Sequence, residues 1–308
     1  MRYTSARRVE SDGKPKKIFY VTLASAVMLF AAFFLMMPPA FGDLVCDRSA
    51  SANGDKGCGC PTSDDAIRYR NVIIVDTTDP LRKGKYDDIE RLVNSVGTTP
   101  RSFWQWLVSG KKTDMTSVFV LSDTPVADMQ PVAKFCSPPP EFALLIGFKG
   151  TEVNALIGNM KARTKEAIFA MQSASTASQS PIVETLATVV RSSSHWAPGS
   201  TLIVASDLIE NSPTCGYFEK LPTIPPLNSV PSACDNLVRT LQEGLRPNQA
   251  HPGTSVVAFC TLPGKSEKPG LRVFWSDISR GALQSDALFS CDPAVILSRR
   301  DFLSERTK

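Results

Sequence analysis

Asn71-Val72-Ile73-Ile74-Val75-Asp76-Thr77-Thr78-Asp79-Pro80 carries a β-branched apolar run straight into an acid-rich turn. A continuous apolar run of this length, closed by turn residues, reads as a buried strand of a parallel sheet. A strand covered on both faces has no polar side to alternate with. Ligand sites in open α/β sheets lie beyond the carboxyl ends of the strands. Asp76 stands at that end, with the Thr77 and Thr78 hydroxyls and the Asp79 carboxylate beside it. Hard oxygen donors of this kind suit Mg²⁺, Ca²⁺ or Mn²⁺. The plainer reading is that Asp76 opens a turn and Thr78 caps the next helix.

Downstream, helical and extended patterns alternate. Ile89, Leu92, Val93 and Val96 fall at helical spacing, which predicts a short helix over Asp87–Val96. Ser117–Leu121 reads as a second strand and Glu141–Phe148 as a third. Thr151 can cap a long helix reaching to about residue 172, interrupted by the Ser/Ala stretch 173–180. Pro181 suits the first turn of a helix over Ile182–Arg191. Thr201–Asp207 is another buried strand ending in an acid. A Pro-rich insertion, a helix over Asp235–Leu245 and a strand over Ser255–Phe259 follow. Leu271–Trp275 reads as a short strand or as the start of the last helix. Apolar strands alternating with helices imply a doubly wound α/β fold, with a mostly parallel sheet and helices on both faces.

The 308 residues suffice for one large domain or two ordinary ones, and 43% hydrophobic with 21% charged residues is ordinary for a globular chain. The formal net charge is +4, and all of it resides in residues 1–17, where six Arg and Lys outnumber Glu10 and Asp12. The rest of the chain balances to zero, which argues against nucleic-acid binding.

Residues 18–37 contain no charge and are long enough to cross a bilayer as a helix. The basic segment before them places the N-terminus in the cytoplasm and the remainder outside. The alternative is a signal peptide cleaved before Asp43, after the small-residue stretch Ala40-Phe41-Gly42. The apolar run exceeds a usual signal-peptide core, which favours an uncleaved anchor. The organisation expected is a cytoplasmic segment 1–17, a transmembrane helix 18–37, a linker 38–67 and one α/β domain over 68–308. The expected location is a single-pass inner-membrane protein with its domain in the periplasm or outside the cell. All eight cysteines follow the apolar segment, consistent with disulfides in an oxidising compartment. Cys215 and Cys234 flank the Pro-rich insertion and are the first candidates for a pair. Cys58-Gly59-Cys60 has no second close pair and no nearby histidine, so a zinc site is not expected.

Three stretches together resemble the von Willebrand factor A domain, a doubly wound α/β family with a metal-ion-dependent adhesion site. The family's first motif, Asp-x-Ser/Thr-x-Ser, is matched at Asp76 and Thr78 and broken at Pro80. Its second loop supplies a threonine before a proline and a helix, and Ser180-Pro181-Ile182 is similar. Its third, Ser-Asp-Gly after an apolar strand, is matched by Ser206 and Asp207, with Leu208 in place of the glycine. The resemblance spans roughly residues 68–290. It implies a divalent-metal site, Mg²⁺ or else Mn²⁺ or Ca²⁺, held by Asp76, Thr78, Ser180 and Asp207, with Asp79 in place of the hydroxyl lost at Pro80. It also implies a protein partner whose acidic side chain completes the metal's coordination.

The expected function is therefore a membrane-anchored binding module rather than an enzyme. The alternatives are a metal-free scaffold subunit of a cell-envelope complex and a Mg²⁺-dependent phosphohydrolase of the haloacid-dehalogenase type. The latter needs a second Asp two residues after the first, where this chain has Thr78. Only His195 and His251 could serve as a hydrolase base, and no Gly-x-Ser-x-Gly stretch precedes either. His195 reads as a surface residue, and Trp104 and Trp106 read as core.

Overall fold

In the computed structural model the chain falls into two compact units, Met1–Gly42 and Asp43–Lys308. The structure describes residues 60, 67–77, 83–98, 113–121, 129–137, 158, 161–162, 165–166, 179–247, 255–261, 268–283 and 287–306, all in the second unit. The anchor expected at 18–37, the tryptophans 104 and 106 and the strand expected at 141–148 lie outside them. Of the helix expected over 151–172, the described positions 158, 161–162 and 165–166 are helical.

The described elements, in order, are β1 (Ile67–Asp76), α1 (Lys83–Thr98), β2 (Thr113–Leu121), β3 (Ala133–Cys136), α2 (Ile182–Arg191), β4 (Thr201–Ser206), β5 (Asn211–Ser212), β6 (Gly216–Tyr217), α3 (Ser232–Leu245), β7 (Val256–Thr261), α4 (Leu271–Leu283), β8 (Leu288–Phe289) and α5 (Pro293–Arg306). Six strands form one sheet in the order β3-β2-β1-β4-β7-β8. Every neighbouring pair is parallel except β2–β3. Counting only this sheet's strands, that is the 3-2-1-4-5-6 order of doubly wound folds, with an antiparallel strand on one edge. The order reverses between β1 and β4, where Val75 pairs with Ala205.

Alternation along each strand divides the core in two. Val72 and Ile74 of β1, Leu202 and Val204 of β4, and Val257 and Phe259 of β7 pack against α2, α3 and α4. Ile73, Val75, Ile203, Ala205 and Ala258 point the other way, onto Ile89, Leu92, Val93 and Val96 of α1 and Ile296 of α5. Both faces of β1 and β4 are thus covered, which explains their unbroken apolar runs. Fully burying one such side chain is worth about 1.5–3 kcal/mol. The α2 helix buries Ile182, Val183, Leu186, Ala187, Val189 and Val190. It lies close to α3 at Gly244, where a Cβ would come within 2.6 Å of Val190 Cγ2. Trp196 Nε1 donates to the Gly244 carbonyl at 2.9 Å beside that contact.

Several boundaries differ from expectation for physical reasons. The first strand starts earlier, at Ile67, because the partly buried Ile67, Tyr69 and Arg70 still pair with β2, with an irregularity at Arg68. The first helix runs over Lys83–Thr98, since the apolar stripe marks only the turns that touch the sheet. Leu271–Trp275 opens a helix that is not the last, because α5 follows it. β3 and β8 are too short to carry a periodic signal.

Among the described residues three disulfides join Cys60 to Cys136, Cys215 to Cys234 and Cys260 to Cys291. Cys215–Cys234 fastens the Pro-rich insertion to the first turn of α3, as its flanking position suggested. Cys60 is therefore a structural cysteine, while Cys46 and Cys58 lie outside the described residues. Disulfides persist in oxidising compartments, so this domain belongs to the periplasm or the extracellular space. No helix among the described residues is long and apolar enough to cross a membrane.

Candidate functional site

Asp76 ends β1 and Ser206 ends β4, and the parallel register sets them side by side at the switch point. The Asp76 side chain is only 4% exposed. Its Oδ2 accepts two hydroxyl hydrogen bonds, from Ser206 Oγ at 2.8 Å and from Ser180 Oγ at 2.6 Å. Short O–H···O⁻ bonds of this kind are charge-assisted and stronger than neutral ones. Ser180 arrives from 104 residues away in sequence. Its backbone exchanges both hydrogen bonds with Asn211, N–H to carbonyl, at 2.9 and 3.0 Å, which holds the loop before α2 against the loop after β4.

Asp207 follows directly. Its Oδ1 accepts the Ile209 N–H at 2.9 Å and lies 3.5 Å from Ser206 Oγ. Ser206 Oγ also accepts the Leu208 N–H at 2.8 Å. The two carboxylates thus meet on one hydroxyl oxygen. Leu208 takes a left-handed backbone conformation, φ +64°, unusual for a branched side chain. It is held there by complete burial and by Trp275, whose Nε1 donates to the Leu208 carbonyl at 3.0 Å. Thr77 turns aside and donates to the Leu121 carbonyl at the end of β2, 2.9 Å away.

Glu210 is the residue that the sequence did not announce. Its side chain is fully buried, and Oε2 accepts the Val183 N–H in the first turn of α2 at 2.8 Å. Among the described residues Oε1 has no hydrogen-bond partner. Burial pushes this carboxyl up to about 7, with Asp76 nearby acting in the same direction and hydrogen bonds from Ser212, Val183 and Ile182 opposing.

Of the residues expected at the site, Asp76, Ser180 and Asp207 come together, and Thr78 and Asp79 lie outside the described residues. Ser206 joins them as the hydroxyl between the carboxylates; its place just before Asp207 was the available signal. Glu210 gave none, since an acid in Leu208-Ile209-Glu210-Asn211 reads as an ordinary loop charge. His195, expected at the surface, is half-buried and edge-on to Phe119 at 5.1 Å. Burial first, then Lys134 and Arg70, lowers its pKa. It sits near the amino ends of the strands, since Arg70 of β1 donates to the adjacent Ser194 carbonyl.

The donors at the cluster are all hard oxygens, two carboxylates and two hydroxyls. They fit a hard divalent cation that keeps part of its water shell, and they lack the nitrogen or sulfur that zinc favours. Among the described residues no three His, Cys, Asp or Glu side chains gather into a metal-binding group. Any cation here would depend on the hydroxyls as well. Fold and site together define a doubly wound α/β domain with a hydroxyl–carboxylate cluster at its switch point. Compared with known proteins, the chain matches no family model and no curated protein.

Proposed function

We propose that this chain is a membrane-anchored, exported binding module, similar to von Willebrand factor A domains, that engages a protein partner through the loops at the carboxyl end of its sheet. A divalent cation, Mg²⁺ or else Mn²⁺ or Ca²⁺, would be held by Asp76, Ser180 and Asp207, with Thr78 and Asp79 completing the set. Bound there, it would supply a coordination position for an acidic side chain of the partner. The observation that carries this reading is the meeting of Asp76, Ser180, Ser206 and Asp207 at the switch point. These residues come from three separate segments, in the order the family's three loops would require. The backbone at Leu208 adds support, because the family places glycine there and φ +64° is a conformation glycine adopts freely. Residues 18–37 serve as the anchor in this reading.

A metal-free scaffold subunit of an envelope complex is the second reading. What favours it is that Asp76 already receives two hydroxyls and Asp207 an amide, so the cluster can lock the loops without an ion. Calorimetric titration of the full-length protein with Mg²⁺, Mn²⁺ and Ca²⁺ separates the two. Binding by the wild type, abolished in Asp76→Ala and weakened in Asp207→Ala with the fold intact by circular dichroism, is the expected result. Absence of binding with all three ions would leave the scaffold reading.

A further inference from the structure

The first turn of a helix carries amide N–H groups that need acceptors from outside the helix. A serine just before the helix ordinarily supplies one through its hydroxyl, and the spacing from Ser180 to Val183 is the i to i+3 spacing of that cap. Ser180 does not act this way. The N-cap position of α2 is Pro181, without a side-chain cap bond, and the Ser180 hydroxyl donates to Asp76. The Val183 N–H is instead taken by Glu210 Oε2, from the loop after β4. The next residue, Asn211, exchanges both backbone hydrogen bonds with Ser180, so cap and serine are held by one short segment.

We propose that Glu210 is a positioning residue: it caps α2 in place of Ser180 and so leaves the Ser180 hydroxyl to Asp76. A buried amide without an acceptor is costly. With Glu210 removed, Ser180 Oγ is the oxygen spaced to take the Val183 N–H. One hydroxyl can accept an amide and donate to a carboxylate together, as Ser206 does. Ser180 Oγ, however, lies on Asp76 while the Val183 N–H goes to Glu210, so taking that amide requires its side chain to rotate off Asp76. The loop after β4 thereby governs two corners of the cluster, Asp207 directly and Ser180 through the helix terminus. Only the consequence for cation affinity rests on the proposed metal-assisted function; the hydrogen-bond exchange does not.

The test uses the full-length protein with E210A, E210D, E210Q, S180A and the E210A/S180A double variant. Crystal structures locate the Ser180 hydroxyl, and calorimetry reads Mn²⁺ affinity. In E210A, and in E210D, whose carboxylate is one methylene short, Ser180 should turn to the Val183 N–H. Mn²⁺ should bind about tenfold more weakly, the usual size for losing a group that orients a ligand. S180A should then add nothing to E210A, since residues acting through one contact are not additive. E210Q, whose amide oxygen can still accept from Val183, should restore both the position and the affinity. A Ser180 hydroxyl that stays on Asp76 in E210A, or fully additive effects of E210A and S180A, would overturn the proposal. Should E210A fail to fold, E210D decides in its place. If the wild type binds no Mn²⁺ while Ser180 still turns in E210A, the cation reading fails and the positioning role stands. Mn²⁺ binding unchanged in E210A with Ser180 unmoved sinks the positioning role alone.

Discussion

Glu210 shows how burial turns an ordinary side chain into a pH-sensitive one. Its folded pKa of about 7 lies above the ordinary carboxyl value of 4.5. Folding therefore favours the protonated form. The stability this group contributes is complete below the unfolded pKa, falls as pH rises between the two values, and is gone above about pH 7. A shift of this order corresponds to roughly 3 kcal/mol. His195 acts in the opposite sense: its lowered pKa gives stability that is present above 6.5 and lost as pH falls through the folded value. Comparing the wild type with Glu210→Gln removes the histidine term, because both proteins keep it. Urea midpoints at pH 5 and pH 8 should show the wild type losing stability relative to Glu210→Gln on going to the higher pH. Parallel behaviour of the two proteins would count against a buried, proton-binding Glu210.

At the scale of elements, the connection after β4 concentrates the unusual features. It leaves the strand through a leucine in the left-handed region, and it carries Asp207, Glu210 and the bridge to Ser180. Leu208 is fully buried, and its carbonyl takes the Trp275 N–H, so packing against α4 holds a backbone that sterics disfavour. An unusual ranking follows for substitutions here. Leu208→Ala and Leu208→Gly both lose the leucine's burial, but alanine keeps the steric cost of a positive φ, about 1–2 kcal/mol. Glycine escapes that cost and adds about 0.5–1 kcal/mol of unfolded-chain entropy. Denaturant titration should therefore find the glycine variant at least as stable as the alanine variant, whereas alanine is the milder replacement at most buried positions. An alanine variant more stable by the usual margin would mean that Leu208 is not strained. β4 and α2 stood out as patterns, but the hydrogen bonds joining them pass through residues without periodicity.

For the whole molecule, the disulfides brace both sides of the sheet. Cys260–Cys291 ties β7 to the entry of α5, and Cys60–Cys136 ties the approach to β1 onto the β3 edge. Cys215–Cys234 closes the insertion above α3, and a bridge over a loop of that length is worth about 3 kcal/mol. Mass spectrometry of unreduced peptides should recover these three linkages from protein isolated from its native compartment. Free thiols at these six positions would contradict both the pairing and the oxidising location.

The layered plan is written in the order of residues along the chain. Unbroken apolar runs at 72–75 and 202–205 require strands covered on both faces, and helical stripes between them require a parallel sheet. The sequence also marked Asp76, Ser180 and Asp207, because acids and hydroxyls at the ends of such strands and before a helix are local features. The remaining features come from packing between distant segments. The β3 and β8 edges are too short to have a period, and they exist because a neighbouring strand offers unpaired backbone groups. Glu210 became a buried acid only because the chain folded it beneath the N-terminus of α2. Ser206 became the hydroxyl between two carboxylates only because β1 and β4 pair in that register. Strand and helix patterns arise from residues close in sequence, so they can be read along the chain. A hydrogen bond between residues 76 and 180 depends on distances that only packing sets.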